Sequence, residues 1–239
     1  MAFRYDIAAL CAAFAVALWL IYRRDRARSK SVRAAYFDDC RSLFEDCRVV
    51  QEGTDFPILD GRHRGHRFRL EPVVDHMAVR KLPSLWLKVS LIEALAIPGV
   101  VDFLARPQNT EFYSPSASLP FSLRIPPEWP QHAMLRTDLE DQALPVELLA
   151  PHIHIFSDPK AKELIVSPRG VRIVYQASQG ERAYYLVLRQ PEFGEPRLPA
   201  ALALQLLGQI MAVYSSAAMM RGQGTRDLPG GSDPKTGEA

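Results

Sequence analysis

Residues 85–91 read LWLKVSL, with Leu85, Leu87, Val89 and Leu91 alternating against Trp86, Lys88 and Ser90. Successive side chains of a strand point to opposite faces, so a period of two predicts a β-strand with one apolar face. The same alternation occurs upstream, where Phe68 and Leu70 interleave with Arg67, Arg69 and Glu71. Downstream, residues 99–106 read as a short helix stopped by Pro107, and residues 111–114 and 121–125 as short strands. Pro115, Pro120, Pro126, Pro127 and Pro130 break that region and push its strands to a sheet edge, because proline cannot donate to a ladder. In the second half, residues 152–156, 162–167, 171–176 and 183–189 read as strands, separated by Asp158-Pro159, Arg169-Gly170 and Gln179-Gly180.

Residues 198–220 are apolar and long enough to suggest a second membrane span. Gln205, Gln209, Ala212 and Ser216 fall on one helical face, however, which predicts a core helix with that stripe exposed. The chain is therefore expected to be α+β: a mostly antiparallel sheet with a long C-terminal helix packed on it. Both halves, 56–106 and 152–220, run strands, a break and then a helix, so a duplicated unit is conceivable.

At the other end, residues 7–22 read IAALCAAFAVALWLIY without a charge. As a helix they cover about 24 Å, close to the roughly 30 Å of a hydrocarbon core. Trp19 and Tyr22 suit the headgroup region, and Arg23, Arg24, Arg26, Arg28, Lys30 and Arg33 follow, against the single Arg4 before the run. Cations gather on the cytoplasmic flank, so the reading is an uncleaved signal-anchor with residues 1–6 outside and the main body inside. A cleaved signal would carry its charge before the apolar run and small residues after it. Leu10 before Cys11 likewise lacks the small residue of a lipoprotein site.

Between anchor and body, residues 31–48 carry Val32, Ala35, Tyr36, Cys40, Leu43, Phe44 and Cys47 against a charged face, the pattern of a juxtamembrane amphipathic helix. Val32, Tyr36, Cys40, Leu43 and Phe44 form a candidate interaction face, to be covered by the chain's own body or by a second copy. On that helix Cys40 and Cys47 would stand about 10.5 Å apart, too far for a disulfide. All three cysteines therefore read as free thiols of a reducing compartment. The resulting division is 1–6, 7–22, 23–50, 51–221 for the cytoplasmic domain, and a Gly-, Pro- and charge-rich tail at 222–239, read as disordered.

A net charge of +2, hydrophobic content of 48% and charged content of 23% over 239 residues exclude wholesale disorder and a many-span membrane protein. The cations are nevertheless concentrated in residues 23–33 and 61–69. The segment GRHRGHRFR at 61–69 sets Arg62, Arg64, Arg67 and Arg69 around two glycines. Together with Arg23, Arg24, Arg26 and Arg28 these guanidiniums are the candidate contacts for anionic lipid or a polyanion. The alternative is a solvated basic hairpin. No aromatic platform or phosphate loop accompanies the segment, which argues against nucleic acid.

His63 with His66 and His152 with His154 have metal-like spacing. Cationic neighbours oppose a metal at the first pair, and neither pair has Cys or clustered carboxylates to complete it, so no metal or cofactor is expected. Ser157-x-x-Lys160 and Lys235-Thr236-Gly237 match two motifs of penicillin-binding enzymes, but Pro159 makes a turn where that chemistry needs a helix. Asp75-His76, Arg80-Lys81 and the charges from Asp158 to Glu163 read as turn and strand-edge charges.

With no compact catalytic constellation, the sequence points to a noncatalytic interaction or accessory protein at the inner face of a bacterial membrane. It would touch lipid through its N-terminal helix and engage a protein partner. An anion-binding module and a membrane-bound enzyme with a dispersed site are the alternatives.

Overall fold

In a computed structural model the chain is described over residues 2–75, 82–108, 111–139, 146–180, 193–194 and 197–224. The N-terminal helix α1 is continuous from Ala2–Ala34, 33 residues, or about 50 Å at 1.5 Å per residue. Alanine-rich and without glycine or proline, it has nothing to break it. It ends as its hydrogen bonds tighten to Tyr36 N–H on Arg33 O, and Tyr36 and Phe37 then enter the core almost fully buried.

Nine strands follow: β1 Glu45–Val50, β2 Ile58–His63, β3 His66–Asp75, β4 Ser84–Leu91, β5 Val101–Ala105, β6 Phe121–Ser122, β7 Ala133–Thr137, β8 Ala161–Ser167 and β9 Gly170–Gln179. They form one antiparallel sheet in the order β1-β2-β3-β4-β9-β8-β5-β7-β6. The two halves of the chain are stitched together at its centre, where β4 pairs β9 from Leu91 opposite Val171 to Ser84 opposite Gln179.

The C-terminal helix α2, Ala200–Gly224, lies over β4 and β9. Ala203, Leu206, Leu207, Ile210, Val213 and Ala217 are buried at helical spacing. They meet the apolar sides of the strands: Leu85, Leu87, Val89 and Leu91 of β4, Val171, Ile173 and Tyr175 of β9, and Phe103 of β5. Each buried aliphatic side chain here contributes about 1.5–3 kcal/mol by leaving water. The start of α2 is tied down by Leu198 N–H on Tyr36 O at 2.8 Å, while Leu198 O accepts from Cys40 Sγ at 3.1 Å.

By length and composition, the membrane-spanning requirement is met among the described residues by α2, over Ala200–Met219, with a mean hydropathy of 1.4. That lies at the C-terminal side rather than in the N-terminal segment that the sequence singled out. Such grounds are weak, since the core helix of a sheet meets them equally, and α2 spends its apolar face on β4 and β9.

Several sequence expectations are corrected. Residues 31–48 are no single amphipathic helix: α1 stops at Ala34, Asp38–Leu43 is a short 3-10 helix, and Cys47 lies in β1. The apolar spacing was real but belongs to three elements folded around one core. All three cysteines are free, although not for the helical reason. Residues 99–106 hold a strand, β5, because Val101, Phe103 and Ala105 face the core while Asp102 and Leu104 face the other way. Without that helix the first half does not repeat the grammar of the second. His152–Phe156 lies in a 3-10 helix, Ala150–Ser157, residues 111–114 make a turn, and β6 is two residues at the sheet edge. The strand expected at 183–189 and residues 225–239 of the tail lie outside the described residues, and residues 222–224 continue α2.

Candidate functional site

The second face of the sheet, away from α2, is where polar groups collect. Cross-strand pairing sets Arg136 opposite Asp102, Asp102 opposite Ile165, Ile165 opposite Arg172 and Arg172 opposite Ser90. Ser90 in turn faces Arg69, and Arg69 faces Asp60. A ladder of mixed charge thus crosses the sheet on its own backbone register. One row over, Leu104 faces Glu163, Glu163 faces Val174, Val174 faces Lys88 and Lys88 faces Glu71. Asp102 and Glu163 are therefore diagonal neighbours on adjacent strands.

The segment after β5 roofs this face. Tyr113 stacks on Trp86 with ring centroids 5.2 Å apart, and these two rings form a small separate core with Val174. Asp102 and Glu163 are left with no exposed surface. All four of their carboxyl oxygens are buried without a hydrogen bond of ordinary geometry among the described residues. Two ionised carboxylates cannot bond each other, but one proton between them makes a donor and an acceptor. Burial, then the neighbouring Glu163, hold the Asp102 carboxyl well above its usual range, against the opposing influence of Ser116 and Arg136. Burial likewise pushes Glu163 up to about 7, with Ser114, Arg172 and Lys162 opposing. The pair thus keeps a proton at a pH where isolated carboxyls have lost theirs.

Beside it, a bulge between Ala161 and Glu163 brings Lys162 onto the same face. Its ammonium, 5% exposed, donates to Glu111 Oε1 at 3.1 Å, a residue itself 10% exposed, and to Arg106 O at 2.5 Å. Burial, above all, draws its pKa down, and Glu111 partly restores it. Arg106, at a positive φ of 50°, aims its guanidinium at the carbonyls of Pro159 and Ala161. Lys162, Arg106, Trp86, Ser84, Gln108, Gln176 and Gln179 are among the residues lining a cavity of about 220 Å³. Displaced pKa values beside a concave polar cavity make this the candidate site, although structural ion pairs displace pKa values in the same way. Replacing Lys162 with Met strands Glu111 in a nearly closed setting, and is expected to cost about 2 kcal/mol in thermal or denaturant unfolding, with Glu111→Gln in the same background recovering part of it.

None of these residues was singled out from sequence. Lys162 and Glu163 read as strand-edge charges, and among the described residues the roof contributed by 106–108 and 111–119 makes them buried. The one available signal was the charge density of AKELIVS inside an apolar strand.

The sites that the sequence did suggest are placed as follows. Tyr36, Cys40 and Phe44 are buried in the chain's own core and Leu43 packs against it, so these side chains are closed to a partner, while Val32 stays exposed on α1. Residues 61–69 form the β2–β3 hairpin, with the turn at Arg64 and Gly65, both at positive φ. Arg62 and Arg67 stand directly opposite each other and exposed, and Arg69 lies 3.9 Å from Asp60. His63 Nδ1 is 2.7 Å from Leu43 O, and His66 Nδ1 is 2.9 Å from Glu93 Oε2. His152 Nε2 meets Ser216 Oγ of α2 at 3.0 Å, and His154 Nδ1 meets Pro151 O at 2.8 Å, so the two histidine pairs are spent on separate structural contacts. Among the described residues no group of three or more His, Cys, Asp or Glu is arranged to hold a metal.

Arg23, Arg24, Arg26 and Arg28 lie on α1, with the Arg23 guanidinium 5.3 Å from the centroid of the Trp19 ring. The end of α1 docks on the loop before β2: Arg33 donates to Thr54 O at 2.8 Å and covers the Phe56 ring, and Gln51 Nε2 donates to Lys30 O at 3.1 Å. The basic hairpin tip sits at the other end of β2, about 20 Å away at 3.3 Å per residue.

No protein-family model, curated protein or solved structure matches the chain.

Proposed function

We propose that the protein is a single-pass membrane protein whose α+β body works as a binding or accessory module at the cytoplasmic face, with α1 as its anchor. The observation that carries this reading is the surface of α1. Ile7, Leu10, Phe14, Val16, Leu18, Trp19, Leu20, Ile21 and Tyr22 are all exposed, and Leu10 reaches 71%. A 16-residue uncharged stretch that is apolar on every side has no reason to stand in water, and lipid is the solvent that fits it. The body, by contrast, buries its apolar groups against its own sheet. Six cations immediately after Tyr22 then favour an outward N-terminus.

Tethering concentrates the body near membrane partners, which supports a binding role without requiring chemistry. The membrane-surface role of Arg62, Arg64, Arg67 and Arg69 is less well supported. Their hairpin is distant from the loop that receives α1, so joint contact would require the sheet to lie along the bilayer. A membrane-bound enzyme is a second reading, favoured by the cavity beside Lys162 and the protonated carboxyl pair.

Alkaline carbonate washing of membranes is expected to leave the full chain in the pellet. Alkaline phosphatase, active only outside the cytoplasm, is expected to stay inactive when fused after Gly224. Release by carbonate, or an active fusion, would overturn the proposal.

A further inference from the structure

Eight buried polar side-chain atoms lack a hydrogen-bond partner among the described residues, and seven of them belong to Trp86, Asp102, Ser116, Arg136 and Glu163. Native proteins leave few such atoms. Here they gather under one segment, the roof at residues 111–119, in which Tyr113 lies on Trp86 and Leu119 O accepts from Arg136 Nη1 at 3.0 Å. Ser114 and Ser116 of the same segment act on Glu163 and Asp102.

The roof is lightly fastened. It holds one turn and the short 3-10 helix Ser116–Ser118, and it takes no part in the nine-stranded ladder. The apolar cluster beneath it consists of Trp86, Tyr113 and Val174, and its one ion pair to the sheet among the described residues is Glu111 with Lys162. Segments with so few buried apolar contacts open locally at a fraction of the cost of unfolding.

Around the two carboxyls stand Arg136 of β7, Lys162 of β8, Arg172 of β9 and, from the roof, Glu111 and Tyr113. Lys88 of β4 lies one row on, and Asp75 and Arg106 act on Tyr113 and Lys162. The cations are engaged elsewhere: Lys162 with Glu111, Arg172 Nε with Ser90 Oγ at 3.0 Å, Arg136 with Leu119 O, and Lys88 with Glu71 at 3.4 Å. Among the described residues none forms an ion pair with Asp102 or Glu163. A proton is then what keeps two like charges from being buried side by side.

We propose that residues 111–119 form a proton-gated lid, which lies on the sheet while Asp102 and Glu163 share a proton and lifts when that proton is lost. Lifting uncovers Trp86 and both carboxylates on the face away from α2. The covered Glu163 ionises near 7, and a hydrated one near the ordinary 4.5. Opening therefore grows about tenfold per pH unit between these values and is constant above them, so acid closes the lid. The inference is independent of where α1 lies.

The test is hydrogen–deuterium exchange of the full-length protein in detergent, read by mass spectrometry at pH 5 and 7.5 and corrected for the chemical exchange rate. Residues 111–119 are expected to exchange about tenfold faster or more at pH 7.5, with β4 and β9 about a hundredfold slower than the lid at both pH values. Glu163→Gln keeps the shape and cannot ionise, so it is expected to reduce the acceleration to about twofold or less. Asp102→Asn is expected to act likewise and decides should Glu163→Gln fail to fold. Equal exchange of 111–119 at the two pH values, exchange at the same rate as β4 and β9, or an undiminished acceleration in either folded variant would each overturn the proposal.

Discussion

Glu163→Gln is expected to raise the stability of the folded protein at pH 8 by about 3 kcal/mol and to flatten its pH dependence. The folded carboxyl ionises near pH 7 against an ordinary 4.5, because burial opposes its charge. Below about pH 4.5 both folded and unfolded chains hold the proton, and the residue contributes no penalty. Between about 4.5 and 7 the unfolded chain has released a proton that the folded chain keeps, so stability falls as pH rises. Above about 7 the penalty is complete and constant, and a displacement of this size corresponds to about 3 kcal/mol. Asp102 is displaced in the same direction and extends the same trend. Glutamine cannot ionise, and its amide can donate to the Asp102 carboxyl, so the variant removes the charge without emptying the site.

In thermal melts followed by circular dichroism from pH 5 to 8, the wild-type Tm is expected to fall with pH. At pH 8 the variant should melt about 6–12 °C higher, given about 2–4 °C per kcal/mol for a body of this size. Asp102→Asn should act likewise. The double variant should gain less than the sum, because each substitution relieves the same repulsion. A wild-type Tm that is flat over this range, with both single variants destabilised, would mean that the carboxyls are ionised and held by Arg136 and Arg172 instead.

Gly170→Ala is expected to cost about 4 kcal/mol, the largest loss from any single added methyl in the described turns. Gly170 opens β9 at a φ of 129°, a region that side chains strain to enter. A Cβ there would lie 2.0 Å from the carbonyl oxygen of Leu91, which is backbone and cannot rotate away. Relief requires the pairing of Leu91 with Val171 to open, and that pairing is one end of the seam joining the two halves of the sheet. Gly53→Ala is the control, since Gly53 also has a positive φ, 56°, but its Cβ would meet nothing within 4 Å. It should cost only about 1–2 kcal/mol, the price of the backbone conformation alone. Equal losses in urea unfolding of the two variants would show that the approach of Leu91 is not what Gly170 serves.

How far the sequence could be read depended on the range of the forces involved. Strands β3 and β4 were legible from a period of two, and β8 and β9 from the turn residues Asp158-Pro159, Arg169-Gly170 and Gln179-Gly180 that bound them, although β8 is buried on both faces. The core side of α2 was legible from its apolar spacing and from the opposite stripe of Gln205, Gln209 and Ala212. Failures came where short-range pattern was ambiguous. Val32 through Cys47 carries helical spacing, but its residues are divided among α1, a 3-10 helix and β1 by the demand of Tyr36, Phe37, Cys40 and Phe44 for one common core. Five residues, Val101–Ala105, are too few for periodicity to separate helix from strand, and pairing with β7 and β8 decided them.

The residues by themselves determined what any solvent would sense locally: an uncharged apolar N-terminal run with cations behind it, strands with one greasy side, and a basic hairpin around Gly65. The tertiary structure alone decided which charges lose contact with water. Asp102 and Glu163 lie 61 positions apart in the chain, and only the register of β5 against β8, under the roof that ends at Tyr113 and Ser116, brings them together. Burial is a property of everything packed around a group, so the proton they hold and the cavity beside Lys162 have no signature in the local order of residues.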